Sequence, residues 1–108
     1  MTGYRESGVE LIQARGREGR CEYKGVSLRL GVFHAEKGWY VGVHTSSGRL
    51  CARLSLEYAQ TQKEAKDMLQ LGFFLAAPEE SRDLIDHLRK IGLLSVPALS
   101  PANDNVSA

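Results

Sequence analysis

Between Val26 and Leu56 apolar and polar residues alternate with a period of two in three successive runs, and this pattern leaves little choice of local structure. Val26, Leu28, Leu30 and Val32 alternate with Ser27, Arg29, Gly31 and Phe33. Trp39, Val41 and Val43 alternate with Tyr40, Gly42 and His44, and Leu50, Ala52, Leu54 and Leu56 with Cys51, Arg53 and Ser55. Successive side chains on a strand point to opposite faces, so each run predicts a half-buried strand. The breaks Ala35-Glu36-Lys37-Gly38 and Thr45-Ser46-Ser47-Gly48 are short and carry glycine, which joins the strands into a three-stranded antiparallel meander.

Helical spacing takes over after the meander. Thr61 and Glu64 have capping-box spacing, Ala65, Met68 and Leu69 supply an apolar stripe, and Gly72 is the expected stop. Phe73-Phe74-Leu75 reads as a short edge strand or a plug in the core. A second helix is expected to open at Pro78 with Glu79 and Glu80 in its first turn, bury Leu84, Ile85, Leu88 and Ile91, and close with Arg89, Lys90 and Gly92. Residues 7–23 are ambiguous. Ser7 and Glu10 again have capping-box spacing, which favours a short helix ending near Gly16, but the same residues suit a hairpin turning at Gly16 to Gly19 and returning through Cys21 and Tyr23. The fold class is therefore α+β: a meander, with room for one extra strand, packed with two C-terminal helices. Residues 1–94 form the domain, and 95–108, with two prolines among small and polar residues, read as a flexible tail.

With 108 residues the chain suits one domain, and 43% apolar and 25% charged residues are ordinary for a globular protein. No run approaches the roughly 18 apolar residues of a membrane span. The start, Met1-Thr2-Gly3-Tyr4-Arg5-Glu6-Ser7-Gly8, lacks the apolar stretch of a signal peptide, so the expected location is the cytoplasm, with Cys21 and a buried Cys51 as reduced thiols. Net charge is only +1, but residues 1–53 carry +4 and residues 54–108 carry −3. The first half is thus suited to an anionic partner.

Pairing Phe33 with Tyr40 also pairs Gly31 with Gly42 and Arg29 with His44. If His44 then faces Arg49, Gly42 faces Cys51 and Tyr40 faces Arg53. The outward face becomes an aromatic row and a cationic row with a bare glycine strip between them, open to a ligand or covered by one of the protein's own helices. A two-residue slip of the last turn would instead set His44 opposite Cys51. Rings beside arginine offer base stacking with phosphate pairing. Arg15, Arg17 and Arg20 stand within six residues and read as a solvated turn or a basic finger for phosphates.

Catalytic and metal patterns are weak. Cys21, His34, His44 and Cys51 lack the close pairing of zinc ligands, and His34 and His87 read as turn and surface residues. A Cys51–His44 nucleophile pair lacks a third, polarising group. No phosphate loop is present, because Arg15-Gly16-Arg17-Glu18-Gly19-Arg20 has no following Lys-Ser/Thr. Neither enzyme activity nor a cofactor is expected.

The segment Thr61-Gln62-Lys63-Glu64-Ala65-Lys66 after a meander resembles the double-stranded-RNA-binding domain, whose helix–three strands–helix order is similar to residues 8–71. That resemblance implies phosphate contacts by Lys63 and Lys66. Tyr23-Lys24-Gly25-Val26, Trp39 and Thr61-x-x-Glu64-Ala65 also look like landmarks of the Apetala-type DNA-binding domain found beside integrases. That resemblance implies a strand face in the major groove and implicates Arg29, Tyr40 and Arg53.

Two function classes follow. One is a protein-interaction module, a regulator or inhibitor of a larger machine, including an anti-defence protein of a mobile element. It would use Gly31, Gly42, Phe33, Tyr40 and the Phe73-Phe74 segment, the latter also as a homodimer contact. The other is a nucleic-acid-binding module using Arg15, Arg17, Arg20, Arg29, Arg53, Lys63 and Lys66, with His44 and Arg49 completing the outward cationic row as further binding candidates.

Overall fold

The computed structural model describes residues 9–78 and 81–96. The elements are β1 (Val9–Gly16), β2 (Gly19–Tyr23), β3 (Val26–Ala35), β4 (Gly38–Thr45), β5 (Leu50–Arg53), α1 (Gln62–Leu71), β6 (Phe73–Pro78), α2 (Arg82–Lys90) and β7 (Leu94–Ser95). Four strands form one sheet in the order β2-β3-β4-β5, and three form a second in the order β6-β1-β7. The α+β class holds. The meander gains its extra strand at the front, where Lys24 (φ 52°) and Gly25 (φ 79°) make a two-residue turn between Tyr23 and Val26. Positive φ at both loop positions is the turn that matches the twist of a tight hairpin.

Residues 9–23 are strands and not a helix. β1 is the central strand of its sheet, paired antiparallel with β6 from Val9↔Pro78 to Ala14↔Phe73 and with β7 at Arg15↔Ser95 and Gly16↔Leu94. Partners on both edges decide the outcome over a local capping signal, and Ser7, the other half of that signal, lies outside the described residues. The hairpin alternative identifies the strands but not their pairing, because β1 and β2 lie in different sheets. The chain passes between sheets at residues 16–19. A Cβ on Gly16 would lie 2.9 Å from Leu69 Cδ1 and one on Gly19 2.4 Å from Leu93 Cδ2, so the bend fits against the core only without side chains there.

The meander's inner face contributes Leu28, Leu30, Val32, Val41 and Val43 to one core with Ile12, Ala14, Phe73 and Leu75 of the second sheet and Ala65, Leu69, Ile85 and Leu88 of the helices. Beyond Arg53 the chain stays on β4. Val41 C=O accepts from the N–H groups of Leu54 (2.7 Å) and Ser55 (3.1 Å), and Ser55 Oγ accepts from Val41 N–H at 3.0 Å. Trp39 and Ala59 then exchange two backbone hydrogen bonds of 2.8 and 2.7 Å.

The Thr61 half of the α1 capping box forms as expected, while the Glu64 carboxylate reaches one residue further back than the box requires. Glu64 N–H donates to Thr61 Oγ1 at 3.1 Å and the Glu64 carboxylate accepts from Gln60 N–H at 2.9 Å. Gly72 ends the helix at φ 130°. The second helix starts later than expected, since Pro78 ends β6 opposite Val9, and Glu79 and Glu80 lie outside the described residues. Ile91 is 41% exposed and leaves the buried stripe, because the helix stops at Lys90. Phe73 and Leu75 are buried while Phe74 points outward, so the apolar connector is both a strand and a plug. Ser95 belongs to β7, which moves the start of the expected tail beyond it, and residues 97–108 lie outside the described residues. No helix among the described residues is long and apolar enough to cross a membrane.

Gly38 offers a direct check on the β4 edge. Its φ is +137°, and a Cβ there would lie 2.4 Å from Ala59 C=O, inside the Trp39–Ala59 pair. Gly38→Ala is expected to lower stability by about 1–3 kcal/mol, read as an earlier urea midpoint. An unchanged midpoint would show that this pairing contributes nothing.

Candidate functional site

The outer face of the four-stranded sheet begins with the β3–β4 register. Arg29↔His44, Gly31↔Gly42 and Phe33↔Tyr40 pair as the sequence predicts. On β5 the two-residue slip holds at Gly42↔Arg53 and Val43↔Ala52, but a bulge then leaves Cys51 over, so His44 faces Leu50 and neither Arg49 nor Cys51. Cys51 is therefore exposed and not buried, and Arg49 sits in the turn, its N–H held by Thr45 Oγ1 at 3.0 Å. A bulge inserts one residue against its partner strand, which a reading based on strict alternation cannot place. Arg20 faces Arg29 directly from β2.

Neither helix covers this face; both pack into the core beneath the inner one. The glycine strip is nevertheless not bare, because neighbouring side chains lie in it. The Arg29 guanidinium runs along its own strand over Gly31, 3.7 Å from where a Cβ would be, and its Cζ lies 4.9 Å from the Phe33 ring centre. Phe33 and His44 lean together across the glycine row and stack at 3.5 Å with their planes 6° apart. Tyr40 lies over Gly42, where a Cβ would come within 2.8 Å of its ring. Its hydroxyl is 2.8 Å from His44 Nε2, a hydrogen bond whose direction follows the imidazole tautomer. Tyr58, beyond β5, meets Tyr40 edge-on at 6.0 Å and carries the Arg53 guanidinium 4.6 Å above its ring. Among the described residues, none of Arg20, Arg29, Arg49 and Arg53 forms an ion pair.

Burial lowers the pKa of His44, with the Arg29 guanidinium as the second cause. Burial also raises that of Tyr40, as does Tyr58, while Arg53 opposes the shift. The imidazole is thus held neutral and the phenol protonated at neutral pH. A hollow of about 160 Å³ opens beside the stack, lined by Arg20, Arg29, Phe33, His44 and the Thr45–Gly48 turn.

Other predicted site residues are elsewhere. Arg15 and Arg17 are exposed at the passage from β1 to β2. Arg15 Nε donates to Gln70 C=O at 3.4 Å and Arg17 Nε to Gly92 C=O at 3.2 Å, at the C-terminal ends of the two helices. Cations there meet the negative end of the helix dipole. Lys63 and Lys66 lie on the exposed side of α1, across the core from Arg29 and Arg53, and Lys63 pairs with Asp67 at 3.3 Å. Among the described residues no helix precedes the meander, and β1 occupies Val9–Gly16. His87 is not a surface residue: its ring is half-buried, 5.1 Å from that of Tyr23. Phe73 is buried, whereas Phe74, Leu71 and Leu11 are 54%, 69% and 45% exposed. Sequence reasoning missed Tyr58 and Ser46; the position of Tyr58 depends on the chain hugging β4 past Arg53, for which no local signal exists. Comparison with family models, curated proteins and solved structures yields no match for this chain.

The two glycines predict opposite outcomes. Gly42→Ala drives a Cβ into Tyr40 and, at 3.0 Å, against Ala52 C=O, and is expected to cost about 1–3 kcal/mol. Gly31→Ala meets only ordinary contacts at 3.7–3.8 Å and should leave stability within about 0.5 kcal/mol. Denaturant titration of both variants tests the pair. The lowered pKa of His44 means that the unfolded chain binds its proton first as pH falls. Its contribution is complete above the ordinary histidine value, about 6.5, and is lost as pH falls through that value toward the lower folded one. Thermal midpoints should accordingly drop between about pH 7 and pH 5, and that part of the drop should vanish in His44→Phe.

Proposed function

We propose that this chain is a non-enzymatic nucleic-acid-binding module that grips a duplex with the outer face of its four-stranded sheet. One observation carries this reading: arginines laid on aromatic rings, without carboxylate partners among the described residues, on a sheet face that no helix covers. A guanidinium held flat by a ring has lost much of its freedom in advance and offers its N–H fork to phosphate oxygens or base edges. The state of the rings favours a duplex over a single strand. Phe33 is stacked on His44 and carries Arg29, and Tyr40 is only 6% exposed, so their faces are not free for unpaired bases.

Fluorescence anisotropy with labelled duplex DNA, duplex RNA and single strands at several salt concentrations tests the proposal. Duplex binding that weakens steeply with salt is expected. Arg29→Ala with Arg53→Ala should cut affinity and reduce the log–log salt slope by about 2. Lys63→Ala with Lys66→Ala, on the far side of the core, should change little. Absence of duplex binding at low salt removes the reading.

A second reading, a protein-interaction module acting as a regulator or inhibitor, is favoured by the exposed Leu11, Leu71 and Phe74 beside a groove of about 390 Å³ lined by Leu56, Met68 and Phe73. For it, Phe74→Asp should abolish any self-association seen by sedimentation while leaving duplex affinity intact.

A further inference from the structure

We infer that the hollow between Arg20, Arg29 and the β4–β5 turn is a seat for a single phosphate group. The inference rests on the duplex reading in one respect only, that the phosphate is then one of the nucleic-acid backbone. Arg20 and Arg29 are directly opposed across β2 and β3, and like charges so placed destabilise a sheet. An acid is close: Glu18 Cγ lies 3.8 Å from the Cβ position of Gly31, in the same trench as the Arg29 guanidinium. Yet among the described residues Glu18 forms no ion pair with either arginine. Arg20 and Arg29 thus stand opposed beside a cavity of about 160 Å³, with Glu18 near Arg29 but not paired to it.

The other walls suit an oxyanion. His44 closes one side, its Nε2 already bonded to Tyr40, so Nδ1 is its remaining polar atom. The Ser46 hydroxyl, at the rim, is tied only by a long 3.5 Å contact to Ser27 C=O. The turn itself is firm: Thr45 N–H donates to Arg49 C=O at 2.8 Å and Gly48 N–H to Thr45 C=O at 2.9 Å. The shape of the hollow is therefore set before a ligand arrives. At Gly48 (φ +95°) no heavy atom lies within 4 Å of a Cβ position, which leaves that side open for entry. Two arginines and a hydroxyl line the hollow, and a phosphate entering it meets the charge of both arginines. Its charge replaces a repulsion with two charge-assisted contacts.

Inorganic phosphate is the probe. Titrated against the full chain at constant ionic strength, it should produce saturable amide shifts at Ser46, Ser47 and Gly48 and raise the thermal midpoint. Phosphate also stabilises proteins generally through exclusion from their surface. The informative quantity is therefore the difference between the native chain and Arg20→Ala or Arg29→Ala, both exposed positions where circular dichroism verifies folding. Each substitution should weaken phosphate binding about tenfold or more, whereas Arg20→Lys should retain part of it. Shifts that do not saturate, or that persist equally in both alanine variants, overturn the seat. Duplex binding without a phosphate response at the hollow also overturns it and leaves the sheet-face reading standing. A phosphate response at the hollow without duplex binding supports the seat and overturns that reading.

Discussion

A side chain on a strand normally stands away from its sheet, kept upright by the Cβ atoms of its neighbours. Here that support is interrupted at Gly31 and Gly42, paired across β3 and β4, and the side chains around them lie down. Arg29 extends along its own strand, Tyr40 covers Gly42, and Phe33 and His44 close over the row between them. Glycine in a strand interior weakens it through lost packing and backbone entropy. The rings and guanidinium restore the packing, and the outcome is a flat, stiff surface made of polar and aromatic groups. The place of Tyr40 depends on the Cβ missing at Gly42, whereas Arg29 would meet a Cβ on Gly31 only at ordinary contact distance.

The arginines of the first half serve two physical purposes, and their strand positions decide which. Arg15 and Arg17 lie where β1 bends into β2, and both helices end beside that bend with unsatisfied carbonyls. They close the ends of the helices and so fix the second sheet and the helices to each other. Arg20, Arg29 and Arg53 fall on outward positions of their strands and have no such carbonyl to meet. The same side-chain chemistry acts as structure at the bend and as exposed charge on the face.

Much of this was legible where one local rule governed several residues together. Alternation from Val26 to Val43 placed β3 and β4 and their register, and so identified Arg29, Gly31, Phe33, Tyr40, Gly42 and His44 as one outward group. Thr61, Glu64 and Gly72 bounded α1 because caps are local chemistry. The failures share a cause as well. β1 is a strand because β6 and β7, some sixty to eighty residues away, pair with it, and nothing between Val9 and Gly16 announces those partners. Pro78 likewise is retained by strand pairing with Val9 instead of opening a helix. In each case a long-range hydrogen-bond ladder overrode a short-range signal. The glycine strip failed differently. Its position was read correctly, but what fills it depends on side chains lying lengthwise, which a pairing diagram of upright residues does not represent.

The inner and outer faces of the meander follow different physics, and together they connect stability to binding. Leu28, Leu30, Val32, Val41 and Val43 secure the sheet by apolar burial against both helices, a non-directional effect that tolerates modest change in shape. The outer face holds opposed arginines, an arrangement that opposes folding when no anion is bound. A small domain has little stability to spare, so such a face persists only because the inner core outweighs it. It follows that an anion bound to the outer face returns free energy to the whole fold through the β3 and β4 backbones that the two faces share.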